Sequence, residues 1–402
     1  MRKLTAEQRL LLELVSCAVL DRQLPSLPET VNWQLLAQEA ASQGVFLPVF
    51  HVLSQNPEKM PEEIYQEYFR QARRATARNM QVEFAQMELV ELLEKGEYPY
   101  VILKGEASAN YYRRPELRQL GDVDFLVPPH CTDRVIRELE AMGYSCQWHD
   151  HHWLLQKGKY RLEMHLEVSG VPENKGRREI TEFLQSIYGQ SRIAAGSSGN
   201  FRTAGDAHHG LILILHTQHH AVSEGIGLRH IMDWACFVAA TAEKPFWQEK
   251  LLPLLRQVGL MRFAGVITKM ASLYFGSACP DWAADAEDDL CRELMEDILS
   301  GGNFGRKNAE RSRAGNMLPD WHSDRQEKGK LRLLYRTLQK AVLRKHPGWE
   351  KKPVRLFFAM AVKAVRYVFL FILGKRPNLL KAAAYADSRR PVYEKLHLFE
   401  DK

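Results

Sequence analysis

The sequence predicts an α+β protein in which a small mixed-sheet core is embedded between N- and C-terminal helical regions. Three observations predict this arrangement. Residues 1–95 carry apolar side chains at three- and four-residue spacing, which is typical of amphipathic helices. Short apolar runs that end in glycine or proline follow between residues 96 and 205 and are typical of strands. Helical spacing returns from residue 206 onward.

The overall composition is that of an ordinary globular protein and excludes a mainly disordered or fibrous chain. Hydrophobic residues make up 45% and charged residues 26% of the 402 residues, a length that accommodates two or three domains. The six cysteines are scattered and form no CxxC pair. A cysteine-based zinc ribbon is therefore excluded, and a reducing, cytoplasmic location is expected.

The N-terminal region predicts three helices separated by proline-bearing breaks, near residues 5–22, 30–54 and 61–95. Thr5 and Gln8 have the spacing of a capping box at the start of the first helix. Glu7 and Glu13 interrupt the apolar stretch of this helix, so it is not predicted to be an export signal.

Between residues 96 and 205, short apolar runs alternate with one amphipathic helix. The run YVIL ends in Lys104-Gly105 and predicts a buried strand, and GDVDFLVPP predicts a second strand that prolines stop. TDRVIRELEAMGY places its apolar residues on one helical face, with Gly143 at the C-terminal cap. Two further runs flank Lys157-Gly158-Lys159 and predict a hairpin, and AGSSGN at 195–200 predicts a loop.

Acidic side chains on two of these strands form the pattern that carries chemistry. Asp122 and Asp124 point to the same face of one strand, because successive side chains alternate. A later strand places Arg161, Glu163, His165 and Glu167 on one face, and Glu163 can supply a third carboxylate to the same site if the two strands are neighbours. Carboxylates in this arrangement suit Mg²⁺. Taken alone, the Asp-x-Asp pair is a weak signal, and a turn residue at Asp122 followed by a solvated strand residue at Asp124 is the favoured interpretation. The glycine turn after the upstream strand and the acid-bearing strand downstream favour the metal site.

The stretch LKGEASANYYRRPELRQLGDVDFLV resembles the signature of the polymerase-β-like nucleotidyltransferase superfamily. More narrowly, it is similar to a bacterial branch of uncharacterised nucleotidyltransferases. The segments that match this branch are Leu103-Lys104-Gly105, Arg118, Asp122-Val123-Asp124, Glu163-Met164-His165, His216 with His220, and Arg229 with Asp233. The resemblance covers about residues 30–240 and is strong over 101–127. Together with the changes in sequence pattern, it divides the chain into an N-terminal helical region (1–95), a nucleotidyltransferase core (96–205), a helical region that completes the cleft (206–302) and a basic C-terminal helical extension (303–402).

The resemblance implies transfer of a nucleoside monophosphate from a nucleoside triphosphate to an unidentified hydroxyl-bearing acceptor. Asp122, Asp124 and Glu163 would be the catalytic and metal-binding residues, holding two Mg²⁺ ions, with Mn²⁺ as an alternative metal. The residues implied to bind the nucleotide are Lys104, Gly105, Ser108, Arg114, Arg118, Gly121 and His165.

Two other functions stay open. The superfamily usually has Gly-Ser or Gly-Gly in the first turn, whereas Glu106 follows Gly105 here. A chain whose phosphate turn is spoiled by Glu106 would be a catalytically inactive binding protein or membrane-associated scaffold on the same fold. A glycosyltransferase that uses the Asp-x-Asp pair ranks lower, because it predicts repeated βαβ units before that pair, where residues 1–95 are helical.

The helical region after the core contains clustered histidines. His209, His216 and His220 share one helical face, but no third strong ligand stands at motif spacing, so a polar face lining the cleft is favoured over zinc. Arg229 and Asp233 have the four-residue spacing of a salt bridge within one helix.

The C-terminal extension is strongly basic, with fifteen Lys or Arg and two acids over residues 325–376. Its apolar run at 356–373 contains Lys363 and Arg366, so it is not predicted to span a membrane. Residues 353–376 fit either peripheral contact with an anionic membrane or a helix mostly buried in the protein with one wet edge, and the buried helix is favoured. Nucleic acid ranks below both, because the charge follows no recognised nucleic-acid-binding motif.

Overall fold

The computed structural model describes residues 4–149, 152–171, 176–307, 330–343, 346, 348–373 and 379–398. These residues form a seven-stranded mixed sheet with helices before and after it in the chain. The mixed architecture confirms the predicted α+β class.

Four helices precede the sheet, namely α1 (Ala6–Leu20), α2 (Trp33–Gln43), α3 (Phe46–Leu53) and α4 (Glu62–Lys95). The predicted capping box is present at the start of α1, where Thr5 and Gln8 each accept a hydrogen bond from the other's backbone N–H. The single helix predicted over 30–54 is two helices. Gly44 adopts a φ of +72° and closes α2, because glycine occupies this left-handed conformation without a Cβ clash.

The seven strands are β1 (Val101–Ile102), β2 (Val123–Leu126), β3 (Ser145–His149), β4 (His152–Lys157), β5 (Tyr160–His165), β6 (Arg192–Gly196) and β7 (Gly199–Thr203). Their order in the sheet is β3-β4-β5-β2-β1-β7-β6. The pairs β2–β5 and β1–β7 are parallel, and the other neighbouring pairs are antiparallel. The predicted hairpin is confirmed as β4–β5, with its turn at Gly158.

One face of the central strands is fully buried. Val123 and Phe125 of β2 and Leu162 and Met164 of β5 are at most 1% exposed. They pack in a core shared with the C-terminal half of α4 and with α6 (Thr132–Ala141). The alternation of strand side chains therefore turns the residues between them, Asp124 and Glu163, to the opposite face.

The predicted loop at 195–200 is wrong, because its ends belong to the β6–β7 hairpin and only residues 197–198 form the turn. Each strand of this hairpin contributes a single well-buried apolar side chain, Ala194 or Phe201, whereas Ile193 is 64% exposed. An edge hairpin with so little buried surface lacks the alternating pattern that predicts strands. The other helices of this region are α5 (Glu106–Ala109) and α7 (Arg177–Gln185).

Helices return after the sheet as α8 (Asp206–Val222), α9 (Leu228–Thr241), α10 (Leu252–Gln257), α11 (Met261–Phe275), α12 (Asp281–Ala284) and α13 (Asp288–Gly301). Trp234 and Phe237 of α9 are fully buried in the large core that joins these helices to α1–α3. Among the described helices, none alone has the length and apolarity to cross a membrane; Trp247–Gln257 and Met261–Phe275 reach that composition only together, as a pair bent by 119°.

Three C-terminal helices are described, α14 (Lys330–Leu343), α15 (Pro353–Ile372) and α16 (Leu379–Lys395). Residues 308–329, at the start of the basic extension, lie outside the described part. The favoured expectation of a mostly buried helix at 353–376 is wrong for α15, in which Leu356 and Met360 alone are buried. These two side chains pack with Val342 of α14 in a small separate core, which is too small to cover the remaining apolar residues. In contrast, α16 returns to the main body, where the guanidinium of Arg389 pairs with Asp297.

Candidate active site

A carboxylate pair lies at the centre of the sheet, on its polar face. Asp124 of β2 and Glu163 of β5 are partners in the parallel register, so their side chains project side by side. His165 follows on the same face of β5. One ligand atom from each of these three residues lies within 4.8 Å of the others. The two strands are therefore neighbours, and their pairing places Glu163 beside Asp124.

Asp124 is the most enclosed of the carboxylates, at 5% exposure. Its Oδ1 lies 2.8 Å from Nζ of Lys104 and 2.9 Å from Nε2 of His165. Because a carboxylate only accepts, Nε2 of His165 donates this bond, and Nδ1 accepts from the hydroxyl of Ser169 at 3.2 Å. Burial opposes ionisation, but Lys104 and His165 outweigh it and hold the pKa of Asp124 well below its usual range.

Glu163 lies at the more open side of the pair and is held by a neighbour on its own strand. The guanidinium of Arg161 donates to its Oε1 at 2.5 Å. Nε2 of His152 stands 3.8 Å from its other oxygen. His152 was not predicted to lie here, although the antiparallel β4–β5 register sets it directly opposite His165. A predicted hairpin register is the signal that finds it.

Asp122 stands just before β2 and is partly exposed. Its Oδ2 is 3.6 Å from Nε of Arg161, so Arg161 lies between Asp122 and Glu163. Burial, together with the negative charges of Asp124 and Glu163, raises the pKa of Asp122 to about 7. The carboxylates of Asp122, Asp124 and Glu163 thus lie close together, and their mutual repulsion disfavours ionisation of all three without added positive charge.

The connection that leads into Asp122 is anchored by helices on several sides. Asn79 of α4 donates to the carbonyl of Arg118 at 2.8 Å and accepts from the N–H of Leu120 at 2.9 Å. The side chain of Gln119 accepts from the N–H of Phe46 at 2.8 Å, at the start of α3. Arg229 of α9 donates to the carbonyl of Gln119 at 3.2 Å. Residues 118–120 are therefore fixed before the chain reaches the site.

Arg118 itself is buried and forms a bidentate pair with Asp233 of α9. Both hydrogen bonds are 2.8 Å long, and the hydroxyl of Tyr112 donates to the same carboxylate at 2.6 Å. The predicted pair of Arg229 with Asp233 within one helix is wrong, because Asp233 accepts from Arg118 instead. Residues of α9 that looked like one helical ion pair thus act separately on the 118–120 connection.

The other residues implied to bind nucleotide occupy different surroundings. Gly105 follows Lys104 with a φ of +65°, and a Cβ there would meet only the carbonyl of Asp122, at 3.8 Å. Gly121 is exposed, with open space where a Cβ would stand. Ser108 is buried, and its hydroxyl contacts His209 at 3.4 Å. Arg114 is exposed and pairs with Asp21, just after α1, rather than with the carboxylate cluster.

Glu106 points away from the turn that it was expected to spoil. Its carboxylate is 5% exposed and accepts from Nε2 of Gln86 at 2.6 Å, from the N–H of Ser198 at 3.1 Å and from the hydroxyl of Ser198. The charge of Glu106 is therefore satisfied by the β6–β7 turn. The reason for expecting it to repel a phosphate at Gly105 is removed.

A group of histidines adjoins the cluster through Lys104. Nδ1 of His216 lies 3.3 Å from Nζ of Lys104, and the ring of His216 is 4.4 Å from that of His220 and 5.4 Å from that of His230. Burial, reinforced by nearby positive charge, lowers the pKa of His216 and of His230 well below the ordinary value. Neutral imidazoles therefore line this side of Lys104, and His230 is a member that the sequence did not indicate.

The donor set fits a hard divalent cation. The carboxylates of Asp124 and Glu163 lie within mutual reach, and Asp122 stands near them beside Arg161, so oxygen ligands of the kind that such a cation takes are gathered here. Lys104 and Arg161 supply the compensating charges that the described residues show. A cation bound among these carboxylates would take over that compensation.

The fold and the site define an α+β protein with a buried carboxylate–histidine cluster on adjacent parallel strands, suited to metal-assisted chemistry. Residues 29–276, more than half of the chain, match the family described as uncharacterised nucleotidyltransferase. The chain therefore belongs to this nucleotidyltransferase family. The search of the curated proteins found no match to this chain, and neither did the search of the solved structures.

Proposed function

We propose that the protein is a Mg²⁺-dependent nucleotidyltransferase that moves a nucleoside monophosphate from a nucleoside triphosphate to a hydroxyl-bearing acceptor. The observation that carries this proposal is the register of β2 and β5, which sets Asp124 beside Glu163. Family membership supplies the reaction class. The cytoplasm is the proposed location.

Asp122, Asp124 and Glu163 would hold the metal, with His165 beside them. Mg²⁺, or Mn²⁺, supplies charge neutralisation for a triphosphate and lowers the pKa of an attacking hydroxyl. The hydroxyl of Ser169 both donates and accepts, so it satisfies Nδ1 of His165 in either tautomer. His165 is therefore able to turn a free Nε2 towards the cluster without leaving Nδ1 unpaired.

The remaining residues of the site bind and position in this proposal. The ammonium of Lys104 lies between Asp124 and His216, where it can pair with a phosphate oxygen. Gly105 lets the backbone approach the phosphates closely, because no Cβ stands in the way. Arg118 acts as a positioning residue, because its hydrogen bonds to Asp233 hold the 118–120 connection that leads into Asp122.

Transfer of label from each α-labelled nucleoside triphosphate in host extract tests the proposal. We expect Mg²⁺-dependent transfer by the wild-type chain and a loss of at least about a hundredfold in Asp124→Asn and in Glu163→Gln. Glu167→Gln is the matched control, because Glu167 follows on the same segment but is 68% exposed and pairs with Arg177. It should keep wild-type activity.

Binding of triphosphate separates the active enzyme from the scaffold alternative. Titration calorimetry of the wild-type chain should show triphosphate binding that needs Mg²⁺ or Mn²⁺ and that disappears in Asp122→Asn/Asp124→Asn. A wild-type chain with no nucleotide affinity, or a double variant that transfers label as well as the wild type, would refute the proposal.

A further inference from the structure

Helix α15 presents an unusual apolar surface to solvent. Nine large apolar side chains of this helix are exposed, as is that of the adjoining Leu373. From Phe357 to Ile372, six of them are between 61% and 74% exposed, namely Phe357, Phe358, Val362, Val365, Phe369 and Ile372. A contiguous patch of this kind marks an interaction surface, whereas scattered single apolar residues do not.

The exposed side chains share one face. At about 100° per residue, these six positions fall within an arc of about 140°. Leu356 and Met360, which pack against α14, lie on the other side of the helix. The helix is therefore attached to the protein by one face and turns the opposite, apolar face outward.

Positive charge borders this apolar face. Arg355 and Arg366 are exposed and lie within about 40° of one edge of the arc. Lys351 and Lys352, also exposed, precede the helix. The sequence of α15 contains no acidic residue. An apolar face flanked by exposed cations is the pattern of a helix that lies in the surface of an anionic bilayer.

We propose that α15 is a peripheral membrane-binding helix, which inserts its exposed apolar face among the acyl chains of an anionic bilayer while Arg355 and Arg366 contact lipid phosphates. A second copy of the chain fits less well, because two such faces would bring cations together with no acid to compensate them. Nucleic acid would pair with the cations but would leave the apolar face in water.

Sedimentation of the full chain with phospholipid vesicles tests this proposal. The wild type should bind vesicles of phosphatidylcholine with phosphatidylglycerol much more strongly than phosphatidylcholine alone, and less strongly at high salt. Phe358→Asp/Val365→Asp, at the centre of the apolar arc, should lower the partition coefficient at least tenfold. Ile193→Asp/Leu273→Asp is the matched control, since both residues are exposed elsewhere, and it should bind as the wild type does.

The charged edge has its own test. Arg355→Gln/Arg366→Gln should lower binding to the anionic vesicles at least tenfold and leave the weak binding to phosphatidylcholine unchanged. Arg70→Gln/Arg74→Gln, which removes two exposed charges from α4, is the control and should have little effect. All substituted residues are exposed, so unchanged circular dichroism is expected for every variant.

Three outcomes would overturn the proposal. The first is a wild-type chain that ignores anionic vesicles. The second is a wild-type dimer that Phe358→Asp/Val365→Asp dissociates, which would assign the face to a second copy. The third is tight binding of duplex DNA that is lost in Arg355→Gln/Arg366→Gln, without vesicle binding, which would assign the edge to nucleic acid.

Discussion

Replacing Asp233 by asparagine should destabilise the protein strongly, although the change keeps the shape of the side chain. Asp233 accepts two 2.8 Å hydrogen bonds from Arg118, and the two side chains are 7% and 6% exposed. Asparagine leaves the guanidinium buried without a counter-charge. Breaking a buried pair in this way costs about 3–5 kcal/mol, so we expect the free energy of unfolding to fall by that amount.

Urea titration of the full chain, followed by circular dichroism and tryptophan fluorescence, measures this change. Asp21→Asn is the matched control, because Asp21 pairs with Arg114 at the surface, where the two side chains are 44% and 45% exposed. A surface pair contributes about 0–1 kcal/mol. Asparagine also tolerates the left-handed backbone of Asp21, whose φ is +53°.

A double variant distinguishes the cost of an unpaired charge from general disruption. Arg118→Met/Asp233→Leu removes both charges and should recover at least half of the stability that Asp233→Asn loses, because apolar replacements avoid the desolvation penalty. If the free energies of unfolding of Asp233→Asn and Asp21→Asn differ by less than about 1 kcal/mol, the buried pair does not anchor the 118–120 connection, and the prediction is wrong.

Three further predictions follow from other described contacts. Asn79→Ala leaves two backbone groups of residues 118–120 without their partner and should lower the free energy of unfolding by about 2–4 kcal/mol in urea titration, whereas Gln66→Ala, exposed on the same helix, should change it by less than about 0.5 kcal/mol. Gly196→Ala brings a Cβ within 2.9 Å of the Glu106 carboxylate and should cost about 1–3 kcal/mol, whereas Gly121→Ala meets nothing within 4 Å, and equal losses would contradict this contact. Burial lowers the pKa of His209 to about 3, so below about pH 6.5 this histidine takes up a proton in the unfolded chain but stays neutral in the folded chain. The free energy of unfolding should therefore fall as the pH drops below 6.5, by up to about 1.4 kcal/mol per pH unit for this residue. His209→Gln should reduce that slope in thermal melts between pH 7 and pH 5.

The centre of the sheet was predictable from sequence because its strands carry buried apolar side chains on one face and polar side chains on the other. Val123 and Phe125 alternate with Asp122 and Asp124, and Leu162 and Met164 alternate with Glu163 and His165. That period of two fixes which side chains meet once the strands are neighbours. The edge hairpin β6–β7 was not predictable, because it buries too little apolar surface to impose a pattern.

The contacts that support the site were beyond the reach of local patterns. Arg118 and Asp233 are separated by 115 residues, and Asn79 reaches the 118–120 connection from another helix. The four-residue spacing of Arg229 and Asp233 favoured a local pair, yet a long-range partner satisfies Asp233 with a geometry that a single helix does not offer. The burial of helix α15 was predicted wrongly for a different reason. Its apolar sequence indicates that the helix is stabilised by burial, but it does not identify the surface that buries it.

The anchoring of residues 118–120 bears on how this chain can be divided into fragments for experiments. A fragment cut at residues 96–205 would retain every described strand and all three carboxylates, but it would lose Asn79, Phe46, Arg229 and Asp233. Residues 118–120, which lead into Asp122, would then lack these hydrogen-bond partners. The sheet therefore carries the carboxylates while the surrounding helices hold the connection that leads into them, and expression trials should keep both together.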